Sequence, residues 1–186
     1  MRIISGKFKG KKIDFLKSNI TRPLRDSVRE NIFNIISHSS HINLSIESSN
    51  ILDLYSGIGS FGLECLSRYS NFVTFIEQDN LALKILKKNL QTLLSPNNVK
   101  IINDKIENIN KWDTKIKYDI IFLDPPYKDD GLKHNLKNLK KSKIYNNEHL
   151  IIIHREKDSM DNFLESINLL FVKTYGRSKI IFAKFN

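Results

Sequence analysis

Two groups of residues carry chemistry that a purely structural chain does not need. The first is Asp124-Pro125-Pro126-Tyr127, which closes the apolar run "YDIIFLD". Proline fixes φ and has no N–H, so carbonyls in this segment face outward as acceptors with no donor beside them. A carboxylate and a prolyl carbonyl together match a planar NH₂ group, which has two N–H bonds to give. Tyr127 adds a flat face for an aromatic base, a contact worth roughly 1–3 kcal/mol in single-strand binding. An exocyclic amine is a poor nucleophile because its lone pair is delocalised into the ring. Holding both N–H groups turns that lone pair toward an electrophile, and in-line displacement then depends mainly on positioning. Glutamine and asparagine amides satisfy the same two acceptors, so the motif specifies a planar NH₂ better than it specifies a base.

The second group is Gly57-x-Gly59-x-x-Gly62 in "LDLYSGIGSFG", with acids around it. Glycines between a strand and a helix permit a tight turn and a close approach of ligand to backbone. The pattern alone also fits dinucleotide enzymes and loops that bind nothing. Glu77, followed by Gln78, ends the next apolar run 20 residues on, where an acid can accept from ribose hydroxyls. Asp104 ends the third run, in reach of an adenine amine. Asp53 precedes Gly57 by four residues, and a carboxylate there repels a pyrophosphate. A sulfonium and an ammonium reverse that sign, so these acids suit S-adenosylmethionine better than NAD.

Positioning these groups requires strands that end on one edge. From residue 51 onward, "NILDLYS", "NFVTFIE", "VKIIND", "YDIIFLD" and "HLIIIH" are near-continuous apolar runs. They alternate with helical stretches, "FGLECLSRY", "DNLALKILKKNLQTLL" with Asp79 as its N-cap, and a helix from about 131 to 141. Continuous apolar strands separated by helices imply a parallel sheet covered on both faces. In such a sheet Asp124 ends the fourth strand beside the first, where the strand order reverses and ligands bind. "LLFVKTYGRSKIIFAKF" reads as two strands around Gly176-Arg177, an antiparallel hairpin on the sheet edge. The expected class is α/β, a mostly parallel seven-stranded sheet with this C-terminal hairpin.

Ahead of the sheet, "RIISGKF" and "KKIDF" read as a β-hairpin punctuated by Gly6 and Gly10. A helix from Arg25 to Ile36 and a Ser- and His-rich loop follow. We divide the chain into a basic hairpin extension, 1–20, and a catalytic domain, 21–186. Its 186 residues fit one compact body.

The formal net charge is +10, which favours a polyanionic partner. Heavy use of Lys, Ile and Asn throughout gives a competing explanation, a coding sequence rich in A·T. The distribution favours the partner: Arg2, Lys7, Lys9, Lys11, Lys12, Lys17, Arg22, Arg25 and Arg29 face only Asp14 and Asp26 in the first 29 residues. Lys133, Lys137, Lys140 and Lys141 form a second cluster, either an extension of that surface or a solvated helix face. One cysteine, Cys65, excludes an intramolecular disulfide and reads as a structural thiol. His38 and His41 lack a third ligand, so no metal site is expected. No apolar run reaches 18 residues and the basic N-terminus lacks a signal-peptide core, which leaves the cytoplasm or the soluble interior of an organelle, and a cytoplasmic protein is expected.

Taken together, "MRIISGKFKGKKI", "TRPLRDSVRENIFNII", "ILDLYSGIGSFGLECLSR", "FIEQD", "DIIFLDPPY" and "YGRSKIIF" resemble the RsmD family of bacterial 16S ribosomal RNA guanine-N2 methyltransferases over nearly the whole chain. The N-terminal pair of motifs is the specific part, since Asp-Pro-Pro-Tyr occurs in many amino-methyltransferases. The resemblance implies a Rossmann-like methyltransferase core with S-adenosylmethionine as methyl donor. It implies transfer to the N2 amine of guanine 966 within an assembling or assembled 30S particle; a monomer is expected, though nothing in the sequence fixes the oligomeric state. Asp53, Gly57, Gly59, Glu77, Gln78 and Asp104 then hold the cofactor, and Asp124, Pro125, Pro126 and Tyr127 hold the guanine. Lys7, Lys9, Lys11, Lys12, Arg22, Arg25 and Arg29 face RNA, with the methionine carboxylate as an alternative partner for Arg22 and Arg29. Ser56 departs from the family's usual alanine.

Rival readings share parts of this pattern. A DNA adenine methyltransferase would need a target-recognition domain for which the chain has little room. A protein-glutamine methyltransferase usually carries asparagine in place of Asp124 and has no use for a basic hairpin. A non-catalytic RNA-binding module predicts no cofactor binding, and a dehydrogenase fits neither Asp53 nor Asp-Pro-Pro-Tyr.

Overall fold

Near-continuous apolar runs form the centre of the computed structural model, which describes residues 1–15, 24–93, 97–112, 115–126, 131–160 and 163–186. Five strands, β1 (Asn50–Leu54), β2 (Phe72–Glu77), β3 (Val99–Asn103), β4 (Tyr118–Leu123) and β5 (Tyr145–Glu156), lie parallel. An antiparallel pair, β6 (Asn168–Tyr175) and β7 (Ser178–Lys184), completes a sheet of order β3-β2-β1-β4-β5-β7-β6. The chain therefore reverses direction across the sheet between β1 and β4, as expected from the sequence.

Alternate residues along each strand face opposite helix layers. Ile51, Phe75, Ile120, Phe122 and Ile152 pack under α1 (Asp26–His38), α2 (Ser60–Ser67) and α3 (Asn80–Thr92). Leu52, Ile76, Ile121, Leu123 and Ile153 pack under α4 (Leu132–Ser142) and a 3-10 turn, Ile106–Lys111, that the periodicity does not reveal. Asp79 caps α3 as expected, its Oδ1 accepting from Ala82 N at 2.8 Å. β5 begins earlier than the apolar run "HLIIIH", because Tyr145 pairs with Tyr118 across a register shift before Ile120.

The N-terminal hairpin is closed by one antiparallel bridge, Arg2 to Lys12, instead of two regular strands. Part of its backbone is held by α2: Ile4 N and Ser5 N donate to the Glu64 carboxylate at 2.8 and 2.9 Å, and Lys7 N to Ser67 O at 2.8 Å. Ile3 and Ile13 enter the same core cluster as the helices. Gly6 is required at the contact, since its φ is +81° and a Cβ would lie 1.9 Å from the Ser67 carbonyl oxygen. No helix among the described residues is long and apolar enough to cross a membrane.

Candidate active site

The glycine loop is held from below by an acid. β1 carries Asp53 to the foot of α2, where its Oδ2 accepts from Gly62 N at 2.9 Å, one of the helix's unpaired first-turn donors. Asp53 is buried, so it lies beneath the loop and not at its mouth. Burial pushes its carboxyl up to about 8, and the nearby Asp124 and Glu77 carboxylates add to the rise. Gly57 and Gly59 adopt φ of +54° and +84°, and open space surrounds the position of a Gly57 Cβ. Gly62 packs on Phe75, which a Cβ would meet at 2.3 Å.

The carboxyl end of β2 clasps the same loop. Glu77 Oε2 accepts from Gly57 N and Oε1 from Asp79 N, both at 2.7 Å. Gln78 follows and is exposed. Asp104, one residue past β3, accepts from Asn108 Nδ2 at 2.6 Å, Lys105 N at 2.8 Å and Trp112 Nε1 at 3.2 Å. These bonds, the Asn108 amide first, lower its pKa.

Across the switch point, Asp124 N donates to Leu54 O at 3.4 Å, which ties the end of β4 to the start of the glycine loop. The Asp124 side chain is about a quarter exposed, and its Oδ1 lies 2.7 Å from His154 Nδ1. Pro125 is buried and Pro126 exposed. Tyr127 lies outside the described residues, as does Arg22. Phe61 at the start of α2 stacks on Phe122 of β4 (4.0 Å between centroids) and on Phe33 of α1 (5.2 Å). That aromatic column fixes the loop-bearing helix against the strand that carries Asp124.

The glycine loop and Asp124 thus face each other across the crevice where the sheet order reverses between β1 and β4. The family described as Conserved hypothetical protein 95 matches residues 1–184. Ribosomal RNA small subunit methyltransferase D of Buchnera aphidicola subsp. Baizongia pistaciae is 37% identical over 183 residues, covering 97% of this chain and 88% of that protein. The protein of the same name from Haemophilus influenzae is 34% identical over 178 residues, covering 95% and 89%. The chain belongs to the ribosomal RNA small subunit methyltransferase D family. Among solved structures, a putative methyltransferase yhhF from Escherichia coli superposes with a TM-score of 0.83 at 28% identity, covering 100% of this chain and 98% of that one. The putative methylase HI0767 of Haemophilus influenzae gives 0.74 at 31% identity, with the same coverage. The fold is that of the Rossmann-like S-adenosylmethionine-dependent methyltransferases.

Within this family frame, the structure divides the basic residues expected to face RNA. Lys7, Lys9, Lys12 and Arg25 are exposed and Lys11 is half-buried. Lys7 Nζ sits 5.0 Å from the Phe8 ring centroid and 5.8 Å from that of Tyr69, an exposed ring. Arg29 corrects the expectation: its side chain is 0% exposed, so it presents no charge to a surface ligand. Its guanidinium donates to Arg2 O at 2.6 Å and to Asp26 Oδ1 at 3.0 Å, with Glu64 behind it. Arg29 completes the stripe Arg29-Ile32-Phe33-Ile36, all buried, and that helical spacing was the available signal for its burial. His154 and Ser178 were not singled out, although His154 ends β5 beside Asp124 by the same strand-end rule that picked out Asp104.

Proposed function

We propose that the chain transfers a methyl group from S-adenosylmethionine to the exocyclic N2 amine of a guanine in small-subunit ribosomal RNA, leaving S-adenosylhomocysteine. The target is guanine 966 and the substrate an assembling or assembled 30S particle, met in the cytoplasm by a monomer that uses no metal. The placement of Asp124 carries this reading: a partly exposed carboxylate at the crevice between β1 and β4, tied through Leu54 to the glycine loop. The names of the family's relatives support the RNA class of substrate.

The donor set fits the cofactor. Asp124 and Glu77 are close enough to Asp53 to raise its pKa, so the site concentrates negative charge. A pyrophosphate would add to that repulsion, whereas a sulfonium and an ammonium neutralise it. Gly57 leaves room beside the loop backbone while Gly59, packed on Leu86, holds the turn; Glu77 serves the ribose hydroxyls, and Asp104 with Gln78 serves the adenine. When bound, S-adenosylmethionine supplies an electrophilic methyl group on a positively charged sulfur.

The chain's own part is orientation. Asp124 and the Pro125 carbonyl accept the two N–H bonds of the guanine amine, Pro126 restricts the backbone that follows, and Tyr127 stacks on the base. The amine becomes acidic only as the new N–C bond forms, so Asp124 acts first as an acceptor and takes up the released proton afterwards. Unstacking the guanine costs a few kcal/mol unless it already lies in a loop. In this reading residues 1–20 are an RNA-binding extension of the methyltransferase domain, 21–186. Lys7, Lys9, Lys11, Lys12 and Arg25 meet phosphates flanking the target, with Arg22 as a further cation. The hairpin turn rests on Ser67, seven residues along α2 from Ser60, which is about 10 Å from the loop.

The test is labelled methyl incorporation into unmodified 30S particles, naked 16S RNA and duplex DNA, with Asp124→Ala alongside and nucleoside analysis of the product. N2-methylguanosine in the particles, lost in the variant, is expected. Label in DNA, or in no nucleic acid despite cofactor binding, refutes the assignment.

A further inference from the structure

We infer that His154 is a positioning residue for the reaction, holding one oxygen of Asp124 so that the other stays aimed at the substrate amine, with Ser178 fixing the imidazole from behind. This rests on the methyl-transfer reading above. His154 stands at the carboxyl end of β5, the neighbour of β4, and is 4% exposed. Its Nδ1 lies 2.7 Å from Asp124 Oδ1 and its Nε2 lies 3.0 Å from Ser178 Oγ. An ionised carboxylate only accepts, so the proton between the first pair sits on Nδ1. The Ser178 hydroxyl then donates to Nε2, and this second bond selects the ring's tautomer and rotation.

Such a hold has a purpose at Asp124. Rotation about χ2 of an aspartate is broad, and a partly exposed carboxylate just past a strand end does not choose one plane for itself. Pinning Oδ1 fixes the plane, and no described residue donates to Oδ2, which is left for the N–H of the amine. Both acceptors must keep their direction if the lone pair is to face the methyl group. A side chain displaced by 1 Å costs on the order of 100-fold in rate.

The anchor of this arrangement comes from the far end of the chain. Ser178 opens β7 immediately after the β6–β7 turn, opposite Glu156 of β5. Arg177 Nη2 bonds Glu156 Oε1 at 2.9 Å, and Lys157 N donates to Arg177 O at 2.8 Å. The segment "YGRS" is thereby clamped on β5 beside His154, which gives it a role in the site in addition to closing the sheet.

The test compares His154→Ala, His154→Asn and Ser178→Ala with wild type in single-turnover methylation of unmodified 30S particles. Melting temperatures and the KM for RNA are measured alongside. An asparagine amide nitrogen occupies nearly the place of imidazole Nδ1 and can donate to Asp124. His154→Ala is therefore expected to lower kcat roughly 10- to 100-fold with KM little changed, His154→Asn to restore much of that loss, and Ser178→Ala to give a smaller loss. Independently of activity, the ring ¹⁵N spectrum of the free protein should show one of the five histidines protonated at Nδ1, with a shift that moves in Asp124→Asn. Wild-type rates in His154→Ala, or a loss that asparagine does not relieve, would overturn the inference, as would an Nδ1 signal indifferent to Asp124. A wild-type protein that methylates no RNA would instead remove the functional reading on which it rests.

Discussion

Replacing Asp53 by asparagine should stabilise the free protein, and the gain should grow with pH. Burial, reinforced by Asp124 and Glu77, pushes the Asp53 carboxyl from 3.8 up to about 8. Below about pH 4 the group is protonated in both folded and unfolded chains and contributes no pH dependence. Between there and pH 8 the unfolded chain gives up its proton while the folded one keeps it. Folding stability therefore falls by about 1.4 kcal/mol per pH unit, to a limit of about 6 kcal/mol. Above pH 8 both states are ionised and the loss is complete. Asparagine keeps an oxygen to accept from Gly62 N and has no charge to desolvate. From pH 6 to pH 9 the difference between variant and wild type should widen by about 3 kcal/mol. For a chain of this size that is roughly 6–12 °C in melting temperature.

The assay is differential scanning calorimetry of both proteins in matched buffers across that range. Other titrating groups are common to the two proteins, so their effects cancel in the difference. A difference that stays flat from pH 6 to pH 9 would refute the idea that Asp53 is buried and protonated in the free protein. The same physics links Asp53 to the ligand. A cation bound nearby lowers its pKa, so binding of S-adenosylmethionine at neutral pH should release protons. Titration calorimetry in buffers of different ionisation enthalpy reads that release, and Asp53→Asn should abolish it.

Three further perturbations probe the frame around the site. Glu64→Ala removes one of the two carboxylates beside the buried Arg29, Asp26 being the other, and orphans Ile4 N and Ser5 N. It should cost about 3–5 kcal/mol by denaturant titration, and an unchanged midpoint would mean the hairpin holds without it. Gly6→Ala sets a Cβ against the Ser67 carbonyl at a φ that disfavours side chains. We expect a loss of about 1–3 kcal/mol and faster proteolysis of the N-terminal segment; wild-type protection would contradict the docked hairpin. The double substitution Lys7→Ala with Lys9→Ala should weaken RNA binding and reduce the slope of log affinity against log salt by roughly 1 to 2, leaving cofactor affinity unchanged. An unaltered slope would place the RNA elsewhere.

What the sequence makes legible is whatever has a period or an edge. Runs such as Ile120–Leu123 announce buried strands, and the acids that close them fall on one edge of any parallel sheet, which was enough to bring Asp53, Glu77, Asp104 and Asp124 near one crevice. Burial depth was not legible in the same way. Asp53 looks, by spacing, like a rim carboxylate, and only the packing of α2 over it shows that it spends its hydrogen bond on Gly62. Arg29 looks like a surface cation because of its charge, yet its helical spacing puts it on the stripe that meets Glu64. His154 and Ser178 were hidden for a further reason. Each is 24 or more residues from the group it touches, and a contact between two sheet neighbours distant in sequence leaves no periodic trace. The groups that bring charge to the crevice can thus be found from strand ends. Those that set its direction, the imidazole behind Asp124 and the carboxyl beneath the glycine loop, depend on which strands and helices become neighbours, and their chemistry is a property of the fold.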